Sequence, residues 1–398
     1  MAEETGSSAA AWESQTIRDW VLETGRFSPD LHDLVQHLGH RLLAAGAPVW
    51  RLRLSMRTLH PLTAATSVVW ERDGPQPEQL DTPHGLEGRS SYIGSPMAHV
   101  NATGQPFRRR LTDPLTDDDH LILHELKIRG ATDYLALPLR FSDGTGATFI
   151  VTSDHKGGFS DRDIAAFTRI GSVLAPIAEV YRFRRISGAV AEAYLGPRTG
   201  RQVLDGRITR GDIERIDAAI FVSDIRDWTG LNVRLPADQA LSCANRYFEV
   251  IAEAVEAHGG EILKFIGDGV LAVFPTNDTD LDATMVCANA LKAAEEALTS
   301  ARDADPPLGF DFGIGLHFGE VLYGNVGSKT RIDFTVLGPA VNIAARMEGL
   351  CRSYGRPVLF SAALAEKLPG RAQHLGDADL KGLDRPAGIF TLAPPETE

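Results

Sequence analysis

Cysteine is scarce in this chain. Cys243, Cys287 and Cys351 are the only three in 398 residues, they lie far apart, and no two form a CxxC pair. Their small or apolar neighbours suggest packing in a reducing compartment, hence a cytoplasmic protein. Basic residues are also in short supply, 40 Lys and Arg against 53 Asp and Glu, for a formal charge of -13. Nucleic acid and anionic membrane surfaces are therefore not expected as partners, because binding them depends on Lys and Arg releasing counterions. No apolar run reaches the length of a membrane span. Residues 1–11 lack both the basic start and the apolar centre of a signal peptide. What is present is ordinary globular composition, 43% hydrophobic and 23% charged, with a length that points to two domains.

Residues 12–45 carry helical spacing, with Trp20, Leu31, Leu34, Leu38 and Leu42 on recurring faces. Two strand-like runs follow, 49–58 and 64–72, separated by the His60-Pro61 break. After a loop rich in Pro, Gly and Asp, the runs 133–140 and 147–153 flank Asp143-Gly144-Thr145-Gly146 and read as a β-hairpin. A helix opened by Ser160-Asp161 comes next, with Ile164, Phe167, Ile170, Leu174 and Ile177 in register. From Tyr181 to Arg215 the chain is dense in Arg and Gly, and Pro197 and Gly206 break it into short pieces. This stretch is either a plain linker or a helical element that transmits dimer geometry.

The second half reads strand 216–222, helix 237–258, strand 262–266, a Gly267-Asp268-Gly269 turn, strand 270–274, helix 280–301 and strand 309–318. This β-α-β-β-α-β order predicts a ferredoxin-like α+β unit, an antiparallel sheet with helices on one face. The crossover makes its two strands parallel, so the end of the first and the hairpin after the second meet at one sheet edge. Asp224 and Asp268 are thereby brought together. Alone, the one is a strand-end residue and the other a turn residue. Together, two carboxylates can hold two Mg²⁺ ions about 4 Å apart, able to activate an attacking oxygen and neutralise a leaving phosphate. Lys264 lies at an even spacing from Asp268, which predicts a shared strand face. Asn342 and Arg346 stand at i and i+4 of a helical run and share its face.

Three segments carry a family resemblance: Phe221-Val-Ser-Asp-Ile-Arg-Asp-Trp-Thr229, Gly259-Gly-Glu-Ile-Leu-Lys-Phe-Ile-Gly-Asp-Gly269 and Phe334-Thr-Val-Leu-Gly-Pro-Ala-Val-Asn-Ile-Ala-Ala-Arg346. They resemble the signature blocks of class III adenylyl and guanylyl cyclases, over residues 217–392. The resemblance implies a homodimer that converts ATP to cyclic AMP, with two Mg²⁺ or Mn²⁺ per site. Asp224 and Asp268 would be the metal carboxylates, with the Ile225 carbonyl as a further ligand. The backbone amides of Arg226, Asp227, Trp228 and Thr229 would face the triphosphate. Lys264 and Thr335 would read the purine from across the dimer, as in a bacterial subset where Thr replaces the more common Asp. A lysine donor accepts adenine N1 but meets a donor on guanine, which favours ATP. Asn342 would contact the ribose, Arg346 the phosphate where charge builds, and Lys381 the terminal phosphates.

Some positions depart from the family pattern. Asp227 and Trp228 stand where Gly and Phe are common, and Pro339 replaces a usual polar residue. A guanylyl or dual-specificity cyclase, or a catalytically silent nucleotide-sensing module, is the alternative. The layout of residues 31–181 resembles a GAF-type sensory domain, which implies a regulatory signal, small molecule or other. The expected division is an extension (1–30), the GAF-like domain (31–181), a helical linker (182–215) and the catalytic domain (216–398). No cysteine precedes Cys243, which argues against a thioether-attached bilin in the first half. His60, His84, His99 and His120 are candidate haem or metal ligands there, or simply solvated loop residues.

Overall fold

The computed structural model describes residues 12–59, 63–85, 88–276, 281–304 and 309–393. Residues 1–11, His60, Pro61 and Asp280 lie outside this set, and with them the expectations placed there. The chain divides into two compact units, Met1–Val190 and Ala191–Glu398.

The first unit contains α1 (Ser14–Glu23), α2 (Leu31–Ala44), β1 (Arg51–Arg57), β2 (Thr63–Glu71), β3 (Glu78–Pro83), α3 (Pro96–Thr103), β4 (Phe107–Arg110), α4 (Leu121–Ile128), β5 (Asp133–Arg140), β6 (Gly146–Ser153) and most of α5 (Asp161–Leu195). Its sheet runs β3-β2-β1-β6-β5-β4 with every neighbour antiparallel. Leu52, Leu54 and Met56 of β1 face a core built from Leu34, Leu38, Phe167 and Ile170. Ile150 and Tyr134 point the other way, onto Leu123 and Leu126 of α4.

The helical spacing over 12–45 resolves into two helices. A short 3-10 turn, Gly25–Phe27, ends the first, and Asp30 caps the second by accepting from the Asp33 N–H at 2.8 Å. Residues 1–30 are thus not only an extension, because Ile17, Trp20 and Val21 belong to the core. The Pro- and Gly-rich loop before β5 holds β3, α3, β4 and α4, elements of four to eight residues, too short to show a period. Ser160 and Asp163 cap α5 reciprocally, through a side chain to backbone bond in each direction.

α5 runs past residue 181 to Leu195, and the division between units falls inside it. By length and composition it is apolar enough to cross a membrane, with half of its most apolar stretch buried inside the protein.

The second unit continues with α6 (Pro197–Leu204), β7 (Ile213–Ile225), α7 (Trp228–Arg234), α8 (Ala237–Ala257), β8 (Glu261–Ile266), β9 (Gly269–Pro275), α9 (Ala283–Asp303), β10 (Phe312–Gly327), β11 (Ile332–Leu337), α10 (Pro339–Tyr354), β12 (Val358–Ser361), α11 (Ala362–Ala365), β13 (Ala372–Ala378) and β14 (Ala387–Leu392). The sheet order is β13-β14-β12-β10-β7-β9-β8, with β11 pairing β10. Its β10-β7-β9-β8 part is the antiparallel order a β-α-β-β-α-β chain produces.

Helices cover both faces, not one. Tyr247 and Ile251 of α8 and Ala290 and Leu291 of α9 pack on Phe221, Ala272 and Ile314. On the opposite face, Ala340 and Ala344 of α10 pack on Ile220, Leu271 and Val321. The missing side chain of Gly315 makes this possible: a Cβ there would lie 2.2 Å from the Ala344 carbonyl oxygen.

The stretch expected as a helical linker, 182–215, contains the end of α5, all of α6 and the start of β7. The buried Glu261 carboxylate accepts from Thr199 N–H (3.1 Å), Thr199 Oγ1 (2.6 Å) and Tyr323 OH (2.7 Å), tying α6 to the sheet.

Another buried polar group gives the second unit a pH response. His317 of β10 is 9% exposed, with Nδ1 2.6 Å from Ser361 Oγ, and burial pulls its pKa down from 6.5 to about 4. Above pH 6.5 the ring is neutral folded and unfolded alike. As pH falls toward 4 the unfolded chain takes up the proton first, so stability falls, by roughly 3 kcal/mol in all. Urea midpoints measured from pH 7.5 to 4 are expected to decline in the wild type and to lose this component in H317N; identical slopes would contradict it.

Candidate active site

Asp224 is the penultimate residue of β7 and pairs with Gly269, the first residue of β9. Asp268 sits in the tight turn just before Gly269, where Gly267 takes φ +65°. The register therefore sets the two carboxylates against each other. Burial, then the hydrogen bond and charge of Asp268, push the Asp224 carboxyl well above the usual carboxylate range. Glu348 of α10 adds to this push, and only Arg226 opposes it. Glu348 is itself raised, chiefly by burial, with Arg226 pulling back.

Three acids thus lie together with Arg226 opposing the charge of Asp224 and Glu348, a set that a bound cation would relieve. Asp224, Asp268 and the Ile225 carbonyl fit a hard divalent ion, which prefers oxygen donors. Among the described residues, no group of three or more His, Cys, Asp or Glu is arranged to hold a metal by side chains alone. Beneath the pair, Tyr247 OH and Ser223 Oγ are 2.7 Å apart and buried, fixing the strand end from below.

The loop after β7 is only partly as expected. The Arg226 N–H donates to the Asp311 carbonyl at 2.8 Å, so that amide is not free to face a phosphate. Its guanidinium turns inward, with Nη1 2.9 Å from Glu348 Oε1 and Nη2 donating to the Glu348 carbonyl at 3.1 Å. Asp227 has φ +55°, the one non-glycine residue with positive φ among those described, which is the physical sense of a glycine at this place. Its carboxylate faces outward and meets Arg234 at 3.2 Å, away from the acid pair. Trp228 opens α7 and packs on the core, while Thr229 is exposed.

A second cluster lies on the β8 and β11 strands. Lys264 and Thr335 line one open cavity of about 390 Å³ with Ser328, Arg331 and Asp333. Lys264 Nζ is 3.5 Å from the Asp333 carboxylate, a neighbour that the sequence reading passed over. The available signal was position: Asp333 and Thr335 are two apart on β11 and share its face. The expectation that Lys264 shares a strand face with Asp268 fails, because β8 ends at Ile266 and Asp268 lies beyond it, in the turn.

Asn342 is exposed and Arg346 half-buried on α10, away from the buried Glu348. The Lys381-Gly382 loop approaches Arg346: a Cβ on Gly382 would lie 3.7 Å from Nη2. Pro339 occupies the first turn of α10, where a missing N–H is harmless. Among the described residues no hydrogen bond or ion pair joins the acid pair to Lys264, Thr335, Asn342 or Arg346. In the first unit, His120 caps α4 by accepting from the Ile122 N–H, and His99 meets Phe107 edge to face.

The uncompensated acids should weaken the fold where they stand. Asp224→Asn is expected to raise the melting temperature in EDTA by roughly 2–4 °C, the shift that about 1 kcal/mol produces in a unit of this size. Added Mg²⁺ is expected to raise it for the wild type and not for the variant; equal responses would contradict the electrostatic account. Asp227→Gly is expected to gain up to about 1 kcal/mol by relieving the left-handed backbone, and a lower melting temperature would show that the Arg234 contact matters more.

Residues 213–385 match the family described as adenylate and guanylate cyclase catalytic domain. Adenylate cyclase 1 of Rhizobium meliloti is 32% identical over 183 residues, covering 45% of this chain and 28% of that protein. The adenylate cyclase of Anabaena cylindrica is 34% identical over 153 residues, covering 37% of this chain and 30% of that one. The chain thus spans less than a third of the length of these curated relatives. The solved structure of a bacterial light-regulated adenylyl cyclase is 32% identical and covers 45% of this chain and 91% of its own, at a TM-score of 0.38. The second unit of this chain, at residues 213–385, carries an adenylate and guanylate cyclase catalytic domain.

Proposed function

We propose that the chain is an adenylate cyclase, converting ATP to 3′,5′-cyclic AMP and pyrophosphate in a homodimer regulated through its first unit. The apposition of Asp224 and Asp268 carries this reading. Two Mg²⁺ or Mn²⁺ ions bound there would activate the ribose 3′ hydroxyl and neutralise the departing pyrophosphate. The remaining work falls to positioned side chains. Asn342 orients the ribose so that its 3′ oxygen lies in line with the α-phosphorus. Arg346 donates to the phosphate oxygens as charge builds, and Lys381, on the loop beside it, meets the terminal phosphates. Lys264 donates to adenine N1, with Thr335 on the same cavity wall. The amides of residues 227–229 remain candidates for the triphosphate; that of Arg226 does not.

In this reading the acids of one protomer face the Lys264, Thr335, Asn342 and Arg346 set of its mate. The surface beside the second cluster supports a second copy as partner: Phe265, Ile266, Ile332 and Leu337 are large, apolar and exposed there. A symmetric dimer would hold two such pockets. The antiparallel six-stranded sheet of the first unit, with helices on both faces, supports a GAF-like sensory role for an unidentified signal.

One observation favours a guanylyl or dual-specificity cyclase. The Asp333 carboxylate beside Lys264 is an acceptor that could meet the guanine N1–H. Assaying cyclic products from ATP and GTP with Mg²⁺ or Mn²⁺ separates the cases. Cyclic AMP is expected to dominate, and Lys264→Ala to lower kcat/KM for ATP by about 10- to 100-fold, the cost of about 1–3 kcal/mol. GTP turnover equal to or above ATP would transfer the assignment. No product from either, or unchanged turnover in Asp224→Ala, would sink it.

A further inference from the structure

We infer that Glu348 is a positioning residue: through Arg226 it fixes the loop that follows Asp224, and so sets the acid half of the pocket in its own protomer. This inference rests on the shared-pocket reading above and goes beyond it, since Glu348 lies outside the residues that reading uses.

Four observations converge on the pair. Glu348 is buried, 8% exposed, on the sheet-facing side of α10. Arg226 grips it twice, at its carboxylate (2.9 Å) and at its main-chain carbonyl (3.1 Å). The Arg226 main chain is pinned from the other side by the Asp311 carbonyl. Finally, β10 leaves room for the guanidinium only because residue 313 is glycine, where a Cβ would fall 1.6 Å from Arg226 Nη2. A cation so tightly held, two residues from Asp224, fixes where the chain turns out of β7. Without its acid, Arg226 would be free to swing toward Asp224, whose carboxyl already feels its charge, competing with any cation there. The Glu348 carboxylate keeps the guanidinium on α10 by charge, as a close ion pair whose Oε1 accepts no hydrogen bond, and removing one member of a buried ion pair leaves the other uncompensated.

The same helix bears Asn342 and Arg346 on its exposed side, which the shared pocket assigns to the mate's site. A chain-specific experiment therefore separates positioning from general weakening of the fold. Differently tagged chains carrying D224A and R346A are co-purified as a heterodimer; one complete pocket remains, with acids from the R346A chain and Arg346 from the D224A chain. E348Q placed in the R346A chain, whose acids are in use, is expected to lower kcat about tenfold. The same substitution in the D224A chain is expected to cost at least threefold less. Equal losses in both placements, a larger loss in the D224A chain, or no loss in either would overturn the inference. An inactive D224A/R346A pair beside an active wild type would sink the shared pocket and the inference with it, whereas an active pair indifferent to E348Q sinks the inference alone.

Discussion

The antiparallel register between β7 and β9 is the constraint on which the site depends. It places Asp224 opposite Gly269, one residue past Asp268, so two carboxylates meet whether or not anything compensates them. Nothing local to those two residues favours this. The cost is met by the sheet: Phe221, Ala272 and their neighbours are fully buried, and the register that buries them is the register that apposes the acids. A one-residue slip would turn the slipping strand inside out, so the acids cannot escape each other without disrupting the core.

Small residues let the second layer close over this arrangement. Gly315 admits the α10 backbone against β10, and Gly313 admits the Arg226 side chain. With α10 seated, its buried side reaches the acid cluster through Glu348 while its exposed side presents Asn342 and Arg346. One helix therefore belongs to two chemical neighbourhoods. The proposed dimer gives that division a purpose, because the exposed side would serve the mate's pocket.

Much of this was legible in the residues. The order of strands and helices from β7 to β10 follows from apolar periodicity, and the convergence of Asp224 and Asp268 follows from the handedness and direction of the crossover. The three signature segments supplied the chemistry. Other features were hidden for physical reasons. The end of β8 at Ile266 defeats an argument from even spacing, which assumes that the pleat continues to Asp268. The Arg226 amide is engaged by Asp311, a residue 85 positions away that no local pattern connects to it. The division between the units falls inside the continuous α5, where arginine is a good helix former and Gly188 alone does not end the helix, so no break in the sequence marks it. Short elements in the first unit, such as the four-residue β4, carry too little pattern to be read.

The first unit is built independently around its own cores, and α6 of the second unit is anchored to the catalytic sheet by the buried Glu261. The chemistry proposed for the second unit rests on the acid pair. Titrating Mn²⁺ into the full chain and following the free ion by electron paramagnetic resonance tests that pair most directly. Binding by the wild type that is lost in both Asp224→Asn and Asp268→Asn is the result this account requires; undiminished binding in either variant would contradict it.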